Sequence, residues 1–167
     1  MTQTANNYGR VLYDLSIPKE EVEQTAKLFE EEPRLLQFLE NPTIGRKQKY
    51  AVIDRIFDGK VAAFLKLVCK YGRISQLTDA FLAYREHYEK QHGILRGQLY
   101  YVNAPEEAEK EQMIQFLKEK FSCKEVLLEE KKEEVLLGGY LLKAGGMEYD
   151  FSFEGRLRQL EKKLTGR

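Results

Sequence analysis

The hydrophobic period of this chain changes at Gly93, from the 3.6-residue spacing of helices to the two-residue alternation of strands. That break restricts the fold. A chain that is helical first and sheet-forming later builds an α+β protein in which the two kinds of element pack in separate layers. We therefore expect an N-terminal six-helix bundle over residues 1–92 and a small C-terminal α/β part with a short sheet over 93–167.

The helices are read from their apolar faces and stop signals. Tyr8, Val11, Leu12 and Leu15 share the face of a first helix, and Ser16-Ile17-Pro18 marks a break and restart. Val22, Ala26 and Phe29 carry the second. Pro33 opens a short third with Leu35, Leu36 and Leu39, which stops at Asn41-Pro42. Tyr50, Ile53 and Phe57 face one way on a fourth, ended by Asp58-Gly59. The fifth runs over 61–71 and stops at Gly72, and the sixth bears Ile74, Leu77, Phe81, Leu82, Tyr84, Arg85 and Tyr88 on one stripe.

Beyond Gly93, the stretch 94–102 is rich in strand formers. Asn103-Ala104-Pro105-Glu106-Glu107 opens a helix with Met113, Phe116 and Leu117 facing inward. Residues 126–128 and 135–142 read as strands. Met147, Tyr149, Phe151 and Phe153 alternate with polar residues, as in a half-buried strand, and Leu157, Leu160 and Leu164 imply a last helix.

Charge narrows the function classes. Lys plus Arg and Asp plus Glu both number 27, so the net charge is zero. A nucleic-acid binder needs a basic excess to displace counterions from phosphates, so no nucleic-acid partner is expected. A helical RNA-binding domain of the NusB type would have to use Arg46, Lys47 and Lys49, which read better as a solvated helix start. No apolar run reaches the ~20 residues that span a bilayer, and the start lacks the basic and apolar regions of a signal peptide.

No catalytic or metal constellation emerges. His87 and His92 are five apart, not the four that would put two imidazoles on one helical face. They are expected at the surface. Cys69 and Cys123 are isolated and read as reduced, packed thiols. Gly138-Gly139 and Gly145-Gly146 do not lead into helices, so they read as a strand kink and a hairpin turn, not a phosphate cradle. Asp150 reads as a solvent-facing residue on its strand. We expect no cofactor, no metal and no catalysis.

The fifth helix carries more apolar surface than one-sided packing needs. Val61, Leu65 and Val68 form one stripe, and Phe64, Leu67 and Tyr71 form another beside it. With Ala62 and Cys69 they cover roughly 220° of the circumference, against the ~100° stripe of a helix packed on one side. Lys66, Lys70 and Ala63 mark the polar side. Such a helix is either central to the bundle or offers one stripe to a partner helix, and both can hold.

The order of several motifs resembles the ATP synthase delta subunit family. Tyr8-Gly9-Arg10-Val11-Leu12-Tyr13 resembles its opening helix. Phe38-Leu39-Glu40-Asn41-Pro42-Thr43-Ile44 resembles its Leu-x-Asn-Pro-x-Ile turn, and the run from Phe64 to Ile74 its fifth helix with the Gly-Arg-Leu exit. The stretch from Leu136 to Gly145, completed by Asp150-Phe151-Ser152, is similar to its most specific segment. Gly9 departs from the usual Ala, at a cost in helix propensity of ~1 kcal/mol. The link 58–60 is shorter than usual, and Lys132 stands where an apolar residue or Thr is common.

The resemblance implies a non-catalytic stator subunit, one copy per complex, that couples proton or sodium flow to ATP synthesis. The bundle would bind the N-terminal helices of the alpha subunits, and the C-terminal part the b subunits of the peripheral stalk. The bacterial form is expected, peripheral on the cytoplasmic face of the cell membrane. For the alpha-chain helix, the family's use of its first and fifth helices points to a groove of Tyr8, Val11, Phe64, Leu67 and Tyr71.

Overall fold

The computed structural model describes residues 2–133, 136 and 138–152. The chain is α+β, with a helical N-terminal part followed by a four-stranded sheet. It separates into two compact units, Met1–Tyr88 and Glu89–Arg167.

In the first unit, α1 (Gln3–Asp14) starts where the Thr2 hydroxyl accepts the Ala5 amide at 3.2 Å, satisfying one of the unpaired donors of its first turn. Helix α2 (Lys19–Glu31) follows Pro18 and places Glu20 and Glu21 at its positive end. Pro33 opens α3 (Pro33–Glu40). At Asn41 the side chain accepts both the Thr43 amide (2.9 Å) and hydroxyl (2.7 Å), turning the chain toward α4 (Arg46–Ile56).

Helix α5 (Gly59–Lys70) ends as its sequence predicts. Gly72 takes a left-handed φ of 64°, its amide returns to Cys69 O, and the Arg73 amide returns to Val68 O at 3.0 Å. These two bonds close a Schellman cap. A 3-10 turn at Ile74–Gln76 leads into α6 (Leu77–His92). The core of this unit joins Leu12, Val22, Phe29, Leu39, Ile53, Leu65, Val68, Leu77 and Tyr84. Leu82, expected on the buried stripe of α6, is 43% exposed, because only the Leu77–Phe81–Tyr84 side of the helix meets the core.

The second unit is a βαβ motif with a hairpin added. Strand β1 (Ile94–Tyr101) pairs in parallel with β2 (Glu125–Lys132) through the crossover helix α7 (Glu107–Phe121). On its other edge β1 pairs antiparallel with β3 (Tyr140–Ala144), which turns back into β4 (Met147–Asp150). The sheet order is β2-β1-β3-β4. Gly145 and Gly146, at φ 58° and 75°, make the two-residue hairpin turn that needs positive φ at both positions. Leu99, Leu117, Val126, Leu142 and Ala144 form the core on one face.

Two strand expectations shift. Among the described residues of the run read as a strand over 135–142, pairing begins at Tyr140, after Gly138 and Gly139 at φ 115° and 79°. Lys132 closes β2 opposite Tyr101. Phe153 and the last helix with Leu157, Leu160 and Leu164 lie outside the described residues.

Candidate docking surfaces

Helices α1 and α5 run side by side in opposite directions. Lys60 Nζ, in the first turn of α5, donates to Leu15 O just past the end of α1 at 2.7 Å. Midway along, the Tyr8 ring meets the Phe64 ring edge-on with centroids 6.1 Å apart. With these two contacts fixed, helical geometry turns Ala5 and Leu12 of α1, and Val61, Leu65 and Val68 of α5, to the core. The opposite flanks of the seam carry Val11 and Leu67.

The five residues expected to form the groove divide by depth. Phe64 is buried at 2% exposure, and Tyr8 is half-buried above it. Val11 (39%), Leu67 (40%) and Tyr71 (60%) are exposed. Phe64 thus supports the floor and does not reach the surface, while the other apolar groups border it. The excess apolar surface of α5 resolves in the same way. Val61, Ala62, Phe64, Leu65, Val68 and Cys69 are buried, so the helix is central to its unit, and Leu67 and Tyr71 are the remainder.

Charge around the seam is uneven. Lys66 is engaged by Asp54 across from α4, and its Nζ lies 5.9 Å from the Tyr50 ring centroid. Lys70 sits 5.7 Å from the Tyr71 ring centroid with no carboxylate within ion-pair reach among the described residues. On the inner side of α5, burial pushes the Cys69 thiol up, and the charges of Lys49 and Arg46 only partly oppose that. Lys49 itself is buried at 8% exposure. The cluster of Arg46, Lys47 and Lys49 therefore does not present a three-residue basic face.

The histidines differ from each other. His92 is exposed as expected, but His87 is half-buried, edge-on to Tyr13 at 4.9 Å. Among the described residues no three His, Cys, Asp or Glu side chains gather as a metal site would require, and no helix is long and apolar enough to cross a membrane.

A second apolar surface lies in the C-terminal unit. Met113 and Phe116 of α7, Tyr140 of β3 and Phe151 line a cleft of about 350 Å³. Phe116, expected inward, is 38% exposed, because the α7 face at Leu117 and Phe121 takes the sheet contact and leaves the neighbouring aromatic at the edge; Met147, which opens β4 after the hairpin turn, is 52% exposed. Phe116 stands edge-on to Tyr149 at 5.3 Å, and Lys120 Nζ lies 4.7 Å from the Tyr149 ring centroid.

At the polar end of the cleft, the Tyr140 hydroxyl donates to Glu109 Oε2 at 2.6 Å. That bond, with the Glu106 amide behind it, holds the Glu109 carboxyl below its ordinary range. Asp150, expected to face solvent, is half-buried and accepts the Ser152 amide at 3.0 Å and hydroxyl at 2.5 Å. Sequence reasoning ranked no residue of this cleft. The signal available in the sequence was the apolar alternation Met147, Tyr149, Phe151, of which Phe151 lines the cleft.

Comparison with known proteins agrees across the chain. The relative from Lachnoclostridium phytofermentans, ATP synthase subunit delta, is 32% identical over 177 residues, covering 96% of this chain and 94% of the relative. The subunit delta of Lactobacillus gasseri is 25% identical, covering 97% and 94%. A chain of the Toxoplasma gondii mitochondrial ATP synthase hexamer shares the fold, with a TM-score of 0.67 at 18% identity over 99% of this chain and 98% of that one. The profile of the ATP synthase delta (OSCP) subunit matches residues 4–164, so the chain belongs to that family, the delta subunits of the F-type ATP synthase stator.

Proposed function

We propose that this subunit is a non-catalytic joint, in which the N-terminal unit grips the catalytic headpiece and the C-terminal unit holds the stalk. In this reading the N-terminal unit is a six-helix bundle spanning 1–92. Its α1/α5 seam receives the N-terminal helix of an alpha subunit. The part over 93–167 binds the b subunits, with its α7 cleft as the apolar anchor. One copy serves each complex, peripheral on the cytoplasmic face of the membrane.

The observation that carries this is the seam itself. Val11, Leu67 and Tyr71 are exposed along two antiparallel helices whose floor, Tyr8 on Phe64, is already packed. An amphipathic helix laid there would cover apolar groups that the isolated unit leaves in water. A stator joint needs slow dissociation, and buried apolar anchors at an interface centre provide it.

The test is Leu67→Asp. Leu67 is 40% exposed, so the folded unit tolerates the change, while a carboxylate in a desolvated interface does not find a partner. We expect binding of an alpha N-terminal peptide to fall by ~100-fold or more. Unchanged affinity in a folded variant removes the seam assignment.

A further inference from the structure

The seam is electrically polarised along its length, and its occupant must match it. At one end stand Lys70 in the last turn of α5 and Arg73 just past it, both exposed. Neither has a carboxylate within ion-pair reach among the described residues, and Lys70 is held only over the Tyr71 ring. At the other end, exposed Asp14 closes α1 and exposed Asp58 precedes α5. Lys60 between them bonds the neutral Leu15 carbonyl, so it keeps its charge and offsets one of the two carboxylates.

Nearby charges reduce this difference without removing it. Lys66 is neutralised by Asp54. Arg10 lies about 200° around α1 from Tyr8, away from the seam.

We infer that the helix occupying the α1/α5 seam carries acidic side chains over the Lys70–Arg73 end, so that charge sets which way round it lies. The inference rests on the docking reading above and adds to it a direction and a chemistry. Apolar contact with Val11, Leu67 and Tyr71 gives affinity but little sense of direction, since a stripe of apolar groups looks similar from either end. Two unpaired cations at one end, against two carboxylates and the single Lys60 cation at the other, discriminate between the two orientations. A carboxylate brought to Lys70 would find a cation that has no other anion to leave.

The experiment uses the full chain and an alpha N-terminal peptide, titrated at about 20 mM and about 300 mM salt. The variants are Lys70→Glu with Arg73→Glu, both exposed, beside Leu67→Asp. We expect the double reversal to weaken binding by ~10-fold or more at low salt and by much less at high salt. A peptide with its acidic residues changed to Lys should recover affinity for the double reversal alone. Affinity within about twofold of the parent at low salt, with Leu67→Asp still disrupting, overturns the charge inference and leaves the seam assignment standing. Absence of peptide binding by the parent chain overturns both.

Discussion

Gly9 of α1 lies against the backbone of Tyr84 in α6 so closely that a Cβ on Gly9 would stand 2.6 Å from the Tyr84 amide nitrogen. The Ala83 Cβ would be 2.7 Å away. This contact gives a physical reason for glycine at a place where the resemblance leads one to expect Ala. The helix gives up ~1 kcal/mol of propensity at Gly9, and the two helices meet backbone to backbone. Gly9→Ala regains the propensity but forces the helices apart, which costs typically 1–3 kcal/mol. We expect a net loss of stability in urea unfolding. A variant more stable than the parent would mean that the α1–α6 contact yields without strain.

Phe64 and Tyr71 separate the fold from the docking surface. Phe64 is 2% exposed under the Tyr8 ring, so Phe64→Ala leaves a cavity and should cost about 3–5 kcal/mol. Tyr71 is 60% exposed, and Tyr71→Ala should change stability by no more than about 0.5 kcal/mol while weakening an alpha N-terminal peptide. Equal destabilisation by the two would contradict their depths.

The helical half was legible because its signals are local. Pro33, Asn41-Pro42 and Gly72 stop or start helices through their own backbone preferences, and each does so in the structure. Depth was less legible. Phe64, Leu67 and Tyr71 share a stripe by periodicity, yet only contact with Tyr8 decides that the first is floor and the others rim. Periodicity also cannot see which α7 neighbour wins the sheet, and it set Phe116 inward beside Leu117. Lys49 looked like a solvated cation and is buried, a place its long aliphatic stem can fill.

The Tyr140–Glu109 pair predicts a pH response at the α7 cleft. Hydrogen bonding to the charged carboxylate lowers the folded-state value for Glu109, so the stabilisation is present above the ordinary glutamate value. It is lost as the pH falls through the lowered value. Tyr140→Phe removes the donor at 2.6 Å and keeps the ring. The Glu109 carboxyl resonance should then titrate at higher pH than in the parent. An unmoved midpoint would show that the Glu106 amide alone holds it.

Tyr84 sets the alkaline side of the N-terminal unit. Burial is the main cause that pushes its phenol up to about 12, and Tyr88, Glu23, Glu20 and Tyr13 add to it by opposing a phenolate. In the unfolded chain the same phenol ionises near the ordinary ~10. Below that pH both states are protonated and the contribution to stability is whole. Between the two values only the unfolded chain loses the proton, so stability declines through this window. Tyr84→Phe keeps the ring in the core and removes the proton. Its melting temperature should therefore fall less than the parent's between pH ~9.5 and ~11.5, even if it starts lower. Parallel declines in the two proteins would assign the alkaline loss to other groups.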